Sequence, residues 1–556
     1  MTPPDGHTGV LVVGGGPVGL SAALLASRLG IPATLVERHR FPYAHPKARG
    51  VRTRAMELFR LWGMEGEIRG RAPANPRHGF VYCRSLSGAE YARTPVGDED
   101  GTLSPSGPCR VPQDELERIL RARVARTAGV RVLFGSTVTD LRQDRGGVRA
   151  TVEDTETGGI RTLTAGYAIA ADGAGSRVRH GLGIGLTGDS LGYWQSVYWH
   201  GDLSRLTKDR GAIQYLTAAP DGGFVTVAPV DGRERWITFR MRPRDAGDPG
   251  GLTDPQAREL VRSAVGEDIP VEVVSTATYE VTAKVADTYR DGRVFLAGDA
   301  AHVFPPTGGF GLNTGIQDAH NLLWKLALVR LGRAGDRLLD TYEAERRPVA
   351  LSNARWSQEN AERFDDVWRS IVSGAPAGDA AARQRGHLSA LERDLGFRYP
   401  HGALVEERPE TTGAETAETA ETAETAGAAE ADAFGAAVGR RAPHLWVHDG
   451  ERRMSSLEIF EGGWTLLYGA DGAPWSDAAR SVGRSLRLPL RAYRAPGPRF
   501  GVDRERFDRL YGLRPGSALL IRPDGHLSWR APADPAGRHA DLLAQALRRI
   551  LRRETP

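Results

Sequence analysis

The chain has 556 residues, 40% hydrophobic and 26% charged, a globular composition, and at about 100–200 residues per domain it predicts roughly three domains. Lys+Arg 73 against Asp+Glu 69 gives a net charge of only +4; the basic residues are almost all arginine and no basic stripe interleaved with aromatics is present, which excludes a nucleic-acid partner. Cys83 and Cys109 form neither a CxxC nor a zinc spacing, and no leader-like start or membrane-length apolar run is seen, so a reduced, cytoplasmic protein with no metal site, no disulfide framework and no membrane partner is expected.

Residues 10–13, VLVV, are an apolar run of the kind that fills a buried parallel strand. Gly14, Gly16 and Gly19 follow as G-x-G-x-x-G, with Pro17 inside the motif. Leu20, Ala23, Leu24 and Leu29 then fall at helical spacings, and Gly30 reads as a helix stop. Residues 33–36 form a second strand ending in Glu37 and Arg38, with Glu37 18 residues beyond Gly19. Each part has a physical task. Gly14 permits the tight turn, Gly16 lets a pyrophosphate approach the backbone, and Gly19 lets helix and strand pack closely. The helix N-terminus offers free N–H groups to the anion, and Glu37 accepts hydrogen bonds from ribose hydroxyls. A dinucleotide site is expected here. Gly183, Gly185 and Gly188 spell the same pattern, but no apolar strand precedes them and no helical pattern follows, so that copy is discounted.

One glycine motif alone would serve an NAD-dependent dehydrogenase equally well. The segment 294–326 bears on the choice. Residues 294–297 read as a strand ending in Gly298-Asp299. A carboxylate at the C-terminal end of such a strand sits where α/β folds bind ligands, and a polyol chain is its natural partner. FAD has a ribityl chain and NAD does not. Pro305 and Pro306 fix φ and remove two donors, giving a stiff wall beside a planar ring. Gly308, Gly309 and Gly311 leave room for close approach and for relative motion of loop and ring. Leu312, Asn313 and Thr314 open a helix running to Leu326, whose free N–H groups favour the anionic edge of a reduced flavin.

These segments, with "YAIAADGAGSRVRHGLG" at 167–183, "ARGVRTRAMELFRLWG" at 48–63 and "RVPQDELERIL" at 110–120, resemble the FAD-dependent aromatic hydroxylases of the para-hydroxybenzoate hydroxylase type. The resemblance covers about residues 8–360. It is closest in style to the tailoring hydroxylases of aromatic polyketide and other antibiotic biosynthesis, which share a C-terminal extension. It implies a Rossmann-like α/β FAD-binding domain in three pieces, 1–75, 100–180 and 285–400, and an antiparallel substrate-binding sheet from 76–99 and 181–284. A thioredoxin-like domain at 435–556 follows; having no cysteine after Cys109, it is unable to do dithiol chemistry. The acidic ETA repeat within 401–434 reads as a solvated linker.

The resemblance further implies non-covalent FAD held by Gly14, Gly16, Pro17, Gly19, Glu37, Arg38, Arg49, Gln113, Asp172, Asp299, Gly311, Leu312 and Asn313, with Pro305, Pro306 and Asn313 at the reacting ring. NADPH or NADH is then a transient co-substrate, and O₂ adds to the reduced flavin to give a C4a-hydroperoxide that an electron-rich phenol attacks. A Baeyer–Villiger-type oxygen insertion, or a non-catalytic flavin-binding pathway protein, stands as the alternative; a flavin halogenase is disfavoured by the lack of a W-x-W-x-I-P signature. His45, Tyr43, Tyr193 and His200 are unranked candidates for a general base, and His302 reads as structural. A monomer or homodimer acting on a small aromatic substrate is expected.

Overall fold

The apolar run at 10–13 belongs to a strand covered on both sides. In the computed structural model, which describes residues 7–43, 45–96, 101–220, 222–373, 390–406, 433–497, 504–532 and 536–553, His7–Val13 lies between Ala33–Glu37 and Ile160–Ala170 and runs parallel to both. Val130–Phe134 and Val294–Leu296 extend the parallel array on either side. The hairpin of Ser136–Gln143 and Val148–Asp154 folds antiparallel onto Ile160–Ala170. Only the first residue of His7–Val13 is exposed, as expected of a parallel strand buried on both faces. Helix Pro17–Arg28 follows the glycine turn and stops at Gly30, whose φ is +72°. It packs against helix Gly311–Arg330. That approach depends on Gly315, where a Cβ would lie 2.5 Å from the Val18 side chain of the first helix and 2.8 Å from the Gly298 backbone.

The second sheet has eight strands, in the order His302–Val303, Glu272–Ala286, Leu186–His200, Arg235–Pro243, Phe224–Pro229, Ala212–Ala218, His78–Cys83 and Glu90–Pro95. Only Ala212–Ala218 and His78–Cys83 pair in parallel. Period-two alternation gives the sheet two distinct faces. Val197 and Trp199 pack with Leu260 and Val261 of helix Asp254–Val265, while Trp194 and Ser196 face a large cavity. The discounted glycine pattern is a turn, with φ +69° at Gly183, leading into Leu186–His200. Gly188 lies so near the neighbouring strand that a Cβ would meet the Ala283 carbonyl oxygen at 2.0 Å.

The C-terminal part is a four-stranded mixed sheet in the order Leu490–Arg494, Trp464–Tyr468, Ala518–Ile521, Leu527–Arg530, the first two parallel. Helices Ala473–Leu486 and His539–Ile550 pack with Trp464, Trp475 and Leu466 on one face; Phe507, Leu510 and Tyr511 pack with Leu519 and Ile521 on the other. This is a thioredoxin-like sheet without a cysteine. Most of the acidic repeat, 407–432, lies outside the described residues. Residues 401–406 are held: the Ala403 N–H donates to Glu345, and the Val405 N–H to the Ser528 carbonyl.

Two buried ionic joints bind this part to the rest. Glu57, on helix Thr53–Leu61, accepts from Arg441 (Nε, 2.9 Å), Arg54 (2.7 Å) and the Ser104 hydroxyl. Glu345, on helix Thr341–Val372, accepts from both terminal nitrogens of Arg522 (2.7 and 2.9 Å), from Lys325 (2.9 Å) and from Asn321 (2.6 Å). Burial alone would raise the Glu345 carboxyl, but Arg522 and Lys325 overcome it and hold it down at about 2. Burial pulls the His444 and His526 imidazoles from 6.5 to about 3 and about 4.

A group whose pKa is depressed in the folded state contributes stability above its unfolded pKa and loses it as pH falls through the folded value. The histidines therefore act first. Stability is expected to fall between pH 6.5 and about 3, with a slope of up to about 1.4 kcal/mol per pH unit from each of His444 and His526; the loss due to Glu345 follows, between 4.5 and about 2. Urea midpoints across this range check the order, and His526→Gln is expected to flatten the upper part. A stability constant from pH 7 to 4 would refute it.

Candidate active site

The two sheets enclose one continuous cavity of about 1480 Å³, lined by the strand ends of the first sheet and one face of the second. At the first glycine motif the backbone needs no Cβ at Gly14, whose φ is +104° and where a Cβ would meet the Ala171 carbonyl oxygen at 2.2 Å. At Gly19 a Cβ would lie 1.9 Å from the Gly14 carbonyl oxygen, so this glycine sets the approach of helix to strand and does not line the cavity. Gly16 differs from both. Its φ is −72° and a Cβ would meet nothing within 4 Å. That open space lies at the start of helix Pro17–Arg28, beside its unpaired N–H groups, and it suits a pyrophosphate. Pro17 occupies the first turn, where its missing N–H costs nothing.

Glu37 ends its strand inside the cavity wall. Its two carboxylate oxygens accept from the Gly15 and His39 N–H groups, which fixes the carboxylate and leaves lone pairs for ribose hydroxyls. Arg38 lines the cavity with its Nε directed to His39. Gln113 also lines it, starting helix Gln113–Ala125, with its amide donating to Glu117 at 2.8 Å. Asp172 lines the cavity too and accepts from the Ser176 hydroxyl and the Val178 N–H. Arg179, next to this turn, donates to the Ala174 and Ala300 carbonyls and ties it to Gly298–Ala300.

Asp299 has no hydrogen-bond donor among the described residues, and Gly311 comes so close that a Cβ there would be 3.8 Å from its carboxylate. By accessible area it is exposed, to the cavity it lines, yet it lies deep in the protein, and burial pushes its carboxyl up, partly offset by His302 and Lys47. An unpartnered acid facing a cavity beside a helix start fits a polyol chain. Pro305, Pro306, Gly311 and Leu312 line the same region.

Asn313 does not line the cavity. Its amide is used internally, accepting from the Arg52 N–H (2.8 Å) and donating to the Gly309 carbonyl (2.7 Å). Arg52 also donates to the Gly308 carbonyl, lies over the Phe310 ring and pairs with Asp394. Thr307 donates to the Ser357 carbonyl. The glycines of 308–311 are thus part of a loop pinned by Arg52, Thr307 and Asn313, not the loosely held one expected from its glycines. Arg52 carried no sequence signal of its own, because its role depends on a contact between residues 256 positions apart.

Across the cavity, Trp194 stacks on Phe239 at 4.7 Å, and Tyr279 lies 6.3 Å from Trp194. Arg49 donates to the Ile213 and Pro229 carbonyls and sits 6.0 Å from the Phe239 centroid; it pairs with no carboxylate among the described residues. Burial and the nearby Arg110 pull its pKa down to about 10, against a raising effect of Tyr279. Of the four base candidates, His45 and Tyr43 line the cavity; Tyr193 and His200 do not. His45 is clamped at 2.9 Å by each of the Ser275 and Ser196 hydroxyls, and burial, then Lys47, pull it down to about 4. His302 is fully buried on Asp318 at 2.7 Å.

Fold and cavity together define a FAD-binding enzyme with an aromatic-lined substrate chamber. A family model described as "FAD binding domain" matches residues 7–357, and one described as "Aromatic-ring hydroxylase, C-terminal" matches residues 435–553. A Streptomyces halstedii protein assigned as a polyketide hydroxylase is 39% identical over 94% of this chain and 93% of its own. The tetracenomycin A2 monooxygenase-dioxygenase of Streptomyces glaucescens is 37% identical over 98% and 97%. The flavin-dependent monooxygenase PieE, solved with FAD and substrate, superposes with a TM-score of 0.84 at 30% identity over 99% of this chain and 100% of that one. The chain belongs to the FAD-dependent aromatic-ring hydroxylases, and it is a flavoprotein monooxygenase.

Gly16→Ala is expected to fold normally and to bind FAD at least about tenfold more weakly, since its methyl fills the anion's space. Gly19→Ala is expected to fail to fold, since its methyl meets backbone. Melting curves and FAD titration separate the two; equal behaviour would contradict the assignment.

Asp299→Ala is expected to weaken FAD binding by about 1.5–3 kcal/mol, the range for hydrogen bonds to a charged group. Hydroxyl donors favour the ionised acid, so wild-type affinity falls as pH drops through the raised Asp299 pKa, and the variant loses this dependence. Wild-type affinity in the variant would remove Asp299 from the site.

Proposed function

We propose that this enzyme hydroxylates a polycyclic phenolic intermediate of polyketide type, using NAD(P)H and O₂. The observation that carries this reading is the single cavity, which joins the dinucleotide cradle at Gly16 and Glu37 to the Trp194–Phe239 face without a partition. Bound FAD supplies the redox chemistry, delivering electrophilic oxygen from O₂ after reduction. The chain's own residues do the rest. Pro305 and Pro306 form a rigid wall at the ring. Phe239, Trp194, Ile237 and Met241 hold a flat apolar substrate and exclude water from the reacting face. Arg49 and the Tyr279 hydroxyl form the polar end of that chamber, and a cation there favours a substrate oxygen as phenolate. His45, down at about 4, is neutral at pH 7 and too weak a base to hold a phenol's proton; its place is to fix the 45–49 segment on the sheet. The names of the polyketide-hydroxylase and tetracenomycin-monooxygenase relatives support a polyketide substrate, while others name monocyclic phenols.

Anaerobic reduction of the holoenzyme by NADPH or NADH, followed by air with a panel of polycyclic phenols, tests this. Flavin bleaching and a product heavier by one oxygen are expected, with the oxygen on a ring carbon. Oxygen inserted beside a carbonyl would replace hydroxylation with lactone formation. Peroxide release with every phenol, and no oxygenated product, would overturn the substrate class.

A further inference from the structure

We infer that the C-terminal part braces the flavin site from behind its lining, with Arg441 and Arg522 as positioning residues that set the 298–314 segment. Both arginines are buried, and each holds a buried carboxylate on a helix that leads to that segment. The first arm runs from Arg441 to Glu57 on helix Thr53–Leu61. Arg52, immediately before that helix, grips the loop at the Gly308 carbonyl and at Asn313. The second arm runs from Arg522 to Glu345. Glu345 also holds Lys325 and Asn321 on the helix that opens at Gly311. Its neighbour Arg346 donates to the Thr314 carbonyl in the first turn of that helix, and to Asp318 at 2.8 Å. Asp318 in turn accepts from the Gly298 N–H and from His302. The two arms therefore close on the Asp299–Gly311 region from two sides, and Tyr399, hydrogen-bonded to Arg346, packs on Arg522 and on His526.

Charge balance shows why the arms are rigid. Arg522, Lys325 and Arg346 face Asp524, Glu345 and Asp318, all six essentially without solvent. Removing one member strands a buried opposite charge, which is strongly destabilising locally. Nothing in this arrangement lets the C-terminal sheet shift without moving Glu57 or Glu345.

The test uses full-length holoenzyme carrying Arg522→Met, Arg441→Met or Arg522→Lys, with Trp475→Phe as control. Trp475 is buried within the C-terminal part, donates to the Gly516 carbonyl and packs on Trp529 and His539, all within that part. FAD dissociation and the visible circular dichroism of the bound flavin are read below the melting transition. Each methionine variant is expected to bind FAD at least about tenfold more weakly and to change the flavin's dichroism. Arg522→Lys is expected to recover part of both, and Trp475→Phe to lower the Tm while leaving both unchanged. Should Arg522→Met not fold, Arg522→Met with Glu345→Gln removes both charges and gives the same reading. Wild-type FAD affinity and dichroism in folded methionine variants would overturn the inference. So would a loss of FAD in Trp475→Phe that matches its loss of Tm.

Discussion

Where helix Pro17–Arg28 begins is decided by one contact, the carbonyl of Gly14 against the α-carbon of Gly19. A single added methyl at Gly19 would sit inside that carbonyl, and the helix would have to start elsewhere. With the contact made, the helix N-terminus faces the open space at Gly16, and Glu37 ends the adjacent strand beside it. The same logic recurs at the other end of the cavity. Gly315 lets helix Gly311–Arg330 approach Gly298, which brings Gly311 up to Asp299. Two helix starts and two acids then face one cavity, although they come from distant parts of the chain.

The second of these helices is held by charge as well as by its apolar core contacts. Hydrophobic packing fixes a helix across its axis but resists sliding and rotation less well, whereas bidentate ion pairs have fixed direction. A network of this kind adds little net stability over an apolar equivalent and much geometric definition. Its cost is sensitivity to acid, because buried neutral histidines and paired carboxylates both take up protons on unfolding.

The sequence showed the elements with local signals. The glycine turn, the Asp299 strand end, the Pro305-Pro306 loop and the helix after it were legible because turn geometry and helix starts demand particular residues within a few positions. The doubled use of Gly14-Gly16-Gly19 was legible too: the copy at Gly183 lacked its strand and proved to be a turn. Long-range pairings were not legible. Asn313 resembles a ring contact in sequence, yet its amide is used by Arg52 and Gly309. Arg52, Glu57 and Glu345 look like ordinary helix-surface charges until the C-terminal arginines arrive. Tyr193 drew attention by residue type alone; alternation would have favoured Trp194 and Ser196, since residues two apart share a face. His200 shares their parity but ends the strand, outside the cavity lining.

The strand Leu186–His200 gives alternate residues to two environments. Val197 and Trp199 belong to the packed core with helix Asp254–Val265, and Trp194 and Ser196 belong to the chamber. Neighbouring residues of this strand thus answer to different physical constraints. Changes at one parity alter what fits above the sheet while its underside stays packed, and changes at the other parity test whether the sheet survives. A fold arranged this way can reshape its chamber by single steps along one strand while the packed underside of the sheet is left intact.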